Sequence, residues 1–280
     1  MGESAAFLSS PLAVVAAGVF GAVWGSFFNV CISRIPRGES IVRPASRCES
    51  CGAPVRPIDN LPILSYFMLR GRCRACRAPF SARHPTVEAL AAILAAALWW
   101  KFVAADPGEM LAVRLARFAM YFAFSGVLVV LSFIDLDTQL LPDAITLPAV
   151  PALFLSGFGA HDVPWLERLI GAAAGYLFLR LISDFYFHVL KREGLGLGDA
   201  KLLAVIGVVL GWRALPFVVL IAGLVGALVS LPIALRMRRR EPAEETGPLR
   251  HFQIPFGPFL AAAALLYVFA GAALLRLWMG

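Results

Sequence analysis

The sequence predicts an all-α polytopic membrane protein with about eight transmembrane helices and one small polar domain between helices 1 and 2. Three observations carry that expectation. Of the 280 residues, 60% are hydrophobic and only 15% charged, whereas a soluble domain is about half apolar and a quarter charged. The apolar residues come in runs of roughly 20, the length a helix needs to cross a hydrocarbon layer about 30 Å thick. Four of the five cysteines fall as two Cys-x-x-Cys pairs in the one long polar stretch. Such a composition excludes a disordered chain and a single soluble domain, and the 21 Phe and 24 Gly suit closely packed membrane helices.

The expected spans are residues 12–32, 86–105 and 115–134, then 144–159, which is shorter and carries Pro148 and Pro151. Residues 169–190 follow, then a short sixth span at about 202–210, then 215–235 and 255–279. The count becomes seven if the short span is re-entrant. No basic flank or small-residue cleavage site accompanies residues 12–32, so that segment reads as a retained helix.

Lys and Arg mark the cytosolic side of a membrane protein. Ten arginines lie between Ser33 and Pro85. Lys191, Arg192 and Lys201 follow the fifth span, and Arg236, Arg238, Arg239, Arg240 and Arg250 follow the seventh. One side thus holds 18 of the 25 basic residues, while Lys101, Arg114, Arg117, Arg168, Arg213 and Arg276 fall on the other. The rich side is expected to be cytosolic, with both termini outside. The net charge of +7 then reports topology and attraction to the lipid bilayer. No nucleic acid partner is expected, because the basic loop lacks the interleaved aromatics of a base-stacking platform.

Cys48-x-x-Cys51 and Cys73-x-x-Cys76 are separated by 21 residues, just beyond the usual spacing of a four-cysteine zinc site. A two-residue gap lets a tight turn aim two thiolates at one tetrahedral ion. Gly52 suits such a turn, and Arg47, Arg72, Arg74 and Arg77 favour thiolate over thiol. A pair of disulfides is the alternative, but a cytosolic loop is a reducing place. A loop of about 50 residues builds no large core, so a metal is a sensible staple. The expectation is a cytosolic four-cysteine zinc domain, with structural Zn2+ on Cys48, Cys51, Cys73 and Cys76. Cys31, ending an apolar helix, is read as packing. The chain divides accordingly into a first transmembrane helix (1–32), the cytosolic zinc-binding domain (33–85) and a transmembrane core of about seven helices (86–280).

Aspartate is costly at a membrane boundary unless it faces water or a partner. Asp135, Asp137 and Asp143 cluster where the third span ends, and Gly194-Leu-Gly196-Leu-Gly198-Asp199-Ala-Lys201 opens the sixth. Odd spans end, and even spans begin, on the cytosolic side. Topology alone therefore puts Asp135 and Asp199, 64 residues apart, on one face. Two nearby carboxylates tend to share a proton. The ionised member can take a proton from water while the protonated one polarises a carbonyl, which amounts to amide hydrolysis. The glycines before Asp199 admit a substrate backbone or a neighbouring helix. The plain alternative is solvated loop aspartates or helix caps, with Asp143 before Ala144 as a cap candidate.

Several segments recur in order over nearly the whole chain: Gly25-Ser-Phe-Phe-Asn-Val-Cys31-Ile-Ser-Arg34-Ile-Pro36, both cysteine pairs, and Leu69-Arg-Gly71-Arg-Cys73. They continue with Asp135 to Asp143, Gly196-Leu-Gly198-Asp199-Ala-Lys-Leu and Ile254-Pro-Phe-Gly-Pro-Phe259. Together they resemble the type IV prepilin peptidases, polytopic GxGD-type membrane aspartyl proteases. The resemblance implies an endopeptidase that removes short basic leaders from type IV prepilins or type II secretion pseudopilins. It places that activity at the cytosolic edge of a bacterial cytoplasmic (inner) membrane, and adds N-methylation of the new N-terminus with S-adenosylmethionine. No strand–glycine loop–helix signature supports that cofactor, so it rests on the resemblance alone.

The resemblance also implies that Asp135 and Asp199 are the catalytic pair. Asp137 and Asp143 share the matching segment and stay open as partners of Asp199; Asp135 is preferred as the first aspartate and the one nearest the helix end. Gly196, Gly198, Lys201 and Glu88 are expected to line the active site or the substrate path, Glu88 having a helix cap as its alternative. Gly71 matches a glycine tied to methyl transfer, and serves equally well as a turn residue before a knuckle. A basic leader needs local negative charge, for which Asp135, Asp137, Asp143, Glu193 and Asp199 are the dense candidates.

Other residues have plain readings. Arg180 and Asp184 are expected to pair on one helix face, His84 is a possible zinc neighbour, and Arg236–Arg240 forms a cytosolic anchor. The competing functions are a membrane transporter with a regulatory cytosolic zinc domain, and a methyltransferase or scaffold without peptidase activity. Against the transporter, the aspartates lie at an edge rather than the midplane and no inverted repeat is evident.

Overall fold

The computed structural model describes residues 7–190, 196–238 and 255–279. Its helices are α1 (Pro11–Arg34), α2 (Leu64–Met68), α3 (Arg83–Trp99), α4 (Leu111–Thr138), α5 (Asp143–Ala160), α6 (Trp165–Leu190), α7 (Leu197–Leu210), α8 (Leu215–Arg238) and α9 (Gly257–Met279). Every expected span is helical, and α2 is a short extra helix in the cysteine region. Among the described residues no strand forms; there are two isolated bridges, Arg47 with Pro54 and Arg72 with Pro79.

Among the described residues, six segments are long and apolar enough to cross a membrane: Pro11–Arg37, Arg83–Ala104, Leu111–Thr138, Asp143–Ala160, Trp165–Val189 and Trp212–Ile233. Helix α9 contributes the shorter apolar stretch Gly257–Gly271. With 14 residues, α7 rises only about 21 Å, short of a hydrocarbon layer of about 30 Å. Pro148 and Pro151 sit inside α5 without ending it, as neighbouring helices and local adjustments allow within a membrane.

By contacts the chain forms two compact units, Met1–Ile134 with Pro142–Trp165, and Asp135–Leu141 with Leu166–Gly280. The last turn of α4 thus belongs to the second unit. In the first, Ser10 caps α1 by accepting the Ala13 N–H, and Pro11 occupies the first turn, where its missing N–H costs nothing. Helices α1 and α3 then meet backbone to backbone. A Cβ on Gly25 would lie 2.6 Å from Glu88 Cα, and one on Gly21 would collide with the Ala91 carbonyl. The Asn29 amide donates across this contact to His84 O at 3.0 Å. Arg117 pairs with Glu109 through both oxygens and donates to Ala160 O at 2.9 Å.

The second unit is built around α7. Leu202, Leu203, Val205, Ile206, Val208 and Val209 are each at most 1% exposed, as expected of a helix apolar all round and enclosed by protein. Gly171 of α6 and Gly207 of α7 face each other so closely that a Cβ on either would collide with the other's carbonyl. The expected Arg180–Asp184 pair forms at 3.0 Å, and Arg213 pairs with Glu167 at 3.3 Å.

Because backbone rather than a flexible side chain occupies the space, Gly207→Val should cost at least about 3 kcal/mol, the upper end of overpacking penalties. Thermal unfolding in detergent measures it; an unchanged melting temperature would mean that the α6–α7 contact is absent.

Candidate functional site

Asp135 lies in the last turn of α4. The helix stops when Gln139 adopts φ +55° and its N–H caps Asp135 O at 2.8 Å, a left-handed C-terminal cap. Asp135 is only 5% exposed while Asp137 is exposed. Two residues along a helix turn through about 200°, so the two carboxylates point to opposite faces. The Asp135 Oδ2 accepts the Gly257 N–H at the start of α9, 3.0 Å away. A Cβ on Gly257 would lie 2.6 Å from that oxygen and 3.5 Å from Leu202 of α7.

Gly196 is the N-cap residue of α7, in extended conformation, and Asp199 lies in the first turn. Glycine at 198 lets this turn rest on the chain that leaves α4: a Cβ there would come within 2.8 Å of Leu141 Cβ. The two aspartate motifs therefore meet inside one unit. Asp199 precedes the apolar stretch that begins at about Leu202, outside the membrane-crossing helices. Its carboxyl is pushed up to about 7, first by burial and then by the negative charge of Asp135. A carboxyl so raised keeps its proton up to near neutrality.

The other expected residues lie as follows. Lys201 is half-buried in α7. Asp143 is exposed in the first unit. It is the first helical residue of α5 rather than its cap, a position held by Pro142; there its charge suits the helix dipole. Glu193 lies outside the described residues. Glu88, in the first unit, is 8% exposed and accepts the Ile63 N–H at 2.7 Å. It is not a helix cap: it ties the segment before α2 to α3, and Ile63 holds φ 63° and ψ −53° to reach it. His84 Nδ1 sits 3.1 Å from Ser81 O and is no member of the cysteine cluster.

The cysteine pairs form two matching knuckles. Cys48 N–H donates to Ala53 O at 2.9 Å and Cys73 N–H to Ala78 O at 2.8 Å. The residue after each pair, Gly52 or Arg77, takes a positive φ, 71° and 61°. All four Sγ atoms lie within 4.8 Å of one another, Cys48 and Cys76 being 3.8 Å apart, and none is in a disulfide. A tetrahedral zinc with Zn–S bonds of about 2.3 Å has S–S edges of about 3.8 Å, so the cluster fits that ion. Backbone N–H groups of Cys51 and Ser50 draw the Cys48 thiol down to about 6, ready to serve as a thiolate ligand. Arg74 grips Asp59 through both oxygens, which holds the Asp59 carboxyl below its usual range and ties the second knuckle to the loop before α2. Gly71 is buried at φ +65° with the Tyr66 ring 3.0 Å from its would-be Cβ, so its turn role is explicit.

Two features escaped the sequence reading. Gly257 touches Asp135 across 122 residues, a pairing no local pattern reveals. The knuckles also repeat as Arg-Cys-x-x-Cys-x-Ala-Pro at Arg47–Pro54 and Arg72–Pro79; that signal was present and would have assigned Arg77 the turn position of Gly52.

Residues 19–102 match the bacterial peptidase A24 N-terminal domain and residues 122–231 the type IV leader peptidase family. Among curated proteins, the chain is similar to the prepilin leader peptidase/N-methyltransferase of Aeromonas hydrophila, with 36% identity over 93% of this chain and 92% of the relative. Relatives of the same name are 37% identical in Burkholderia pseudomallei, over 96% and 90% of the two chains, and 34% identical in Pseudomonas aeruginosa, over 97% and 95%. No solved structure gives a significant match. Spanning both domains and nearly the full length of these relatives, the chain belongs to the type IV prepilin leader peptidase family.

Proposed function

We propose that Asp135 and Asp199 are the catalytic pair of a prepilin leader peptidase/N-methyltransferase. The observation that carries the assignment is the meeting of their two motifs in one unit, where Gly198 rests on Leu141 and buried Asp135 helps to push the half-buried Asp199 carboxyl up to about 7. The transporter reading finds no support among the relatives. The substrates proposed are type IV prepilins or type II secretion pseudopilins. The site faces the cytosol from a bacterial cytoplasmic membrane with both termini outside, the orientation that the basic loops favour.

The ionised Asp135 takes a proton from a water, whose oxygen bonds to the scissile carbonyl carbon. The protonated Asp199 gives its proton to the carbonyl oxygen, so that no oxyanion persists. Collapse of the tetrahedral intermediate breaks the C–N bond: Asp135 returns its proton to the departing nitrogen, and Asp199 recovers its own from the hydroxyl as the carbonyl re-forms. Water has been added across the peptide bond, leaving a carboxyl on the leader and a free amine on the mature protein. Gly196 and Gly198 keep side chains out of the approach to Asp199. Asp137, Asp143, Lys201 and Glu88 are assigned to substrate or site lining, with the basic leader drawn by the acidic residues.

Residues 33–85 are assigned as a cytosolic zinc domain, with Zn2+ on Cys48, Cys51, Cys73 and Cys76, and residues 86–280 as the peptidase core. Zinc would be structural there, four thiolates completing its shell and leaving no open position for chemistry. N-methylation of the new amine, with Gly71 linked to it, follows from the family, and S-adenosylmethionine would supply the methyl group. The described residues form no strand–glycine loop–helix cradle for a nucleoside cofactor, and no step is derived through it.

Asp135→Asn and Asp199→Asn should each abolish leader removal while keeping fold and metal content; normal cutting by either variant refutes the pair. Wild-type cleavage should fall as pH rises through about 7, because the raised carboxyl loses above that pH the proton it must donate. A thiol-competing chelator should release about one zinc per chain and unfold the knuckles, seen by metal analysis and proteolysis between residues 33 and 85. Unchanged protection would remove the structural role.

A further inference from the structure

Among the described residues, Gly257 is the one backbone group seen to hold either of the two proposed catalytic carboxyls. Its N–H meets Asp135 Oδ2 at 3.0 Å, and it is itself buried. Pro258 follows it and has no N–H, so at this start of α9 the Gly257 donor is not duplicated by its neighbour. A Cβ at 257 would stand 2.6 Å from Oδ2, well inside contact distance. Next come Asp135 Cγ at 3.3 Å, part of the same carboxyl, and Leu202 Cδ2 at an ordinary 3.5 Å. What gives way when a methyl is added is therefore the carboxylate itself, the free end of a side chain, rather than the packing of α9 on α7.

We propose that Gly257 is a positioning residue for the peptidase reaction: its N–H and its lack of a side chain fix Asp135 Oδ2 at the N-terminus of α9. This rests on the reading of Asp135 and Asp199 as the catalytic pair. With Oδ2 engaged by Gly257, the other carboxylate oxygen is left to take the proton of water. The partial positive charge at the start of α9 favours the anionic form of the group it holds. Among the described residues no backbone N–H is seen to hold Asp199 in this way, and its carboxyl carries the proton. The two acids are thereby given different tasks by one glycine 122 residues away from the first.

The test is Gly257→Ala in the full-length chain, purified in detergent and assayed on a prepilin that carries its leader. The same exchange at Gly223, which has nothing within 4 Å of its would-be Cβ, is the control. Displacing a reacting group by about 1 Å costs about 100-fold in rate. Gly257→Ala is therefore expected to lower kcat about 100-fold, with KM, melting temperature and zinc content at wild-type values. Gly223→Ala should cleave normally. A normal kcat in Gly257→Ala, or a change confined to KM, overturns the proposal. If Asp135→Asn also cuts normally, the fault lies in the catalytic pair instead. Should Gly257→Ala fold poorly, Asp135→Ala is added to it, which removes the colliding oxygen. Recovery of the melting temperature supports the contact, and no recovery overturns it.

Discussion

A carboxylate hidden at the edge of a hydrocarbon layer is tolerable only with a partner, and the arrangement of the second unit follows from that cost. Asp135 finds its partner in the Gly257 N–H. Reaching it requires the end of α4, the start of α7 and the start of α9 to converge. The glycines are what permit this: Gly198 rests on Leu141, and Gly257 receives the Asp135 oxygen and lies against Leu202. About two turns further along, α7 is sealed against α6 by the Gly171–Gly207 contact. A short helix, buried from Leu202 to Leu210, thus carries Asp199 in its first turn.

Charge elsewhere is arranged to leave that edge distinctive. Of the six basic residues expected on the far side, Arg117 pairs with Glu109 and Arg213 with Glu167. The arginines of the cysteine region remain mostly exposed, Arg74 being engaged by Asp59.

Much of this was legible beforehand, for reasons that can be named. Apolar runs of helix length report spans directly, and every expected span is a helix. Cys-x-x-Cys spacing reports a knuckle, because two residues are what a tight turn accommodates. The face shared by Asp135 and Asp199 followed from counting crossings. What stayed hidden depends on geometry between distant residues. Nothing local pairs Gly257 with Asp135, marks Gly171 as the partner of Gly207, or shows that the last turn of α4 belongs with α7. The cap considered for Asp143 falls on Pro142 instead, because a helix start inferred from sequence is uncertain by a residue or two. Arg77 hid its left-handed turn because arginine seldom adopts one.

The central claim is that Asp135 and Asp199 act on each other electrostatically across the meeting of α4 and α7. Infrared difference titration of the Asp199 carboxyl in Asp135→Asn tests it without requiring activity. In the wild type the carboxyl should lose its proton at about 7. With the negative charge at 135 removed, the midpoint should fall, while staying above the value of a free aspartate because burial persists. An Asp199 midpoint unmoved by the substitution would contradict the account.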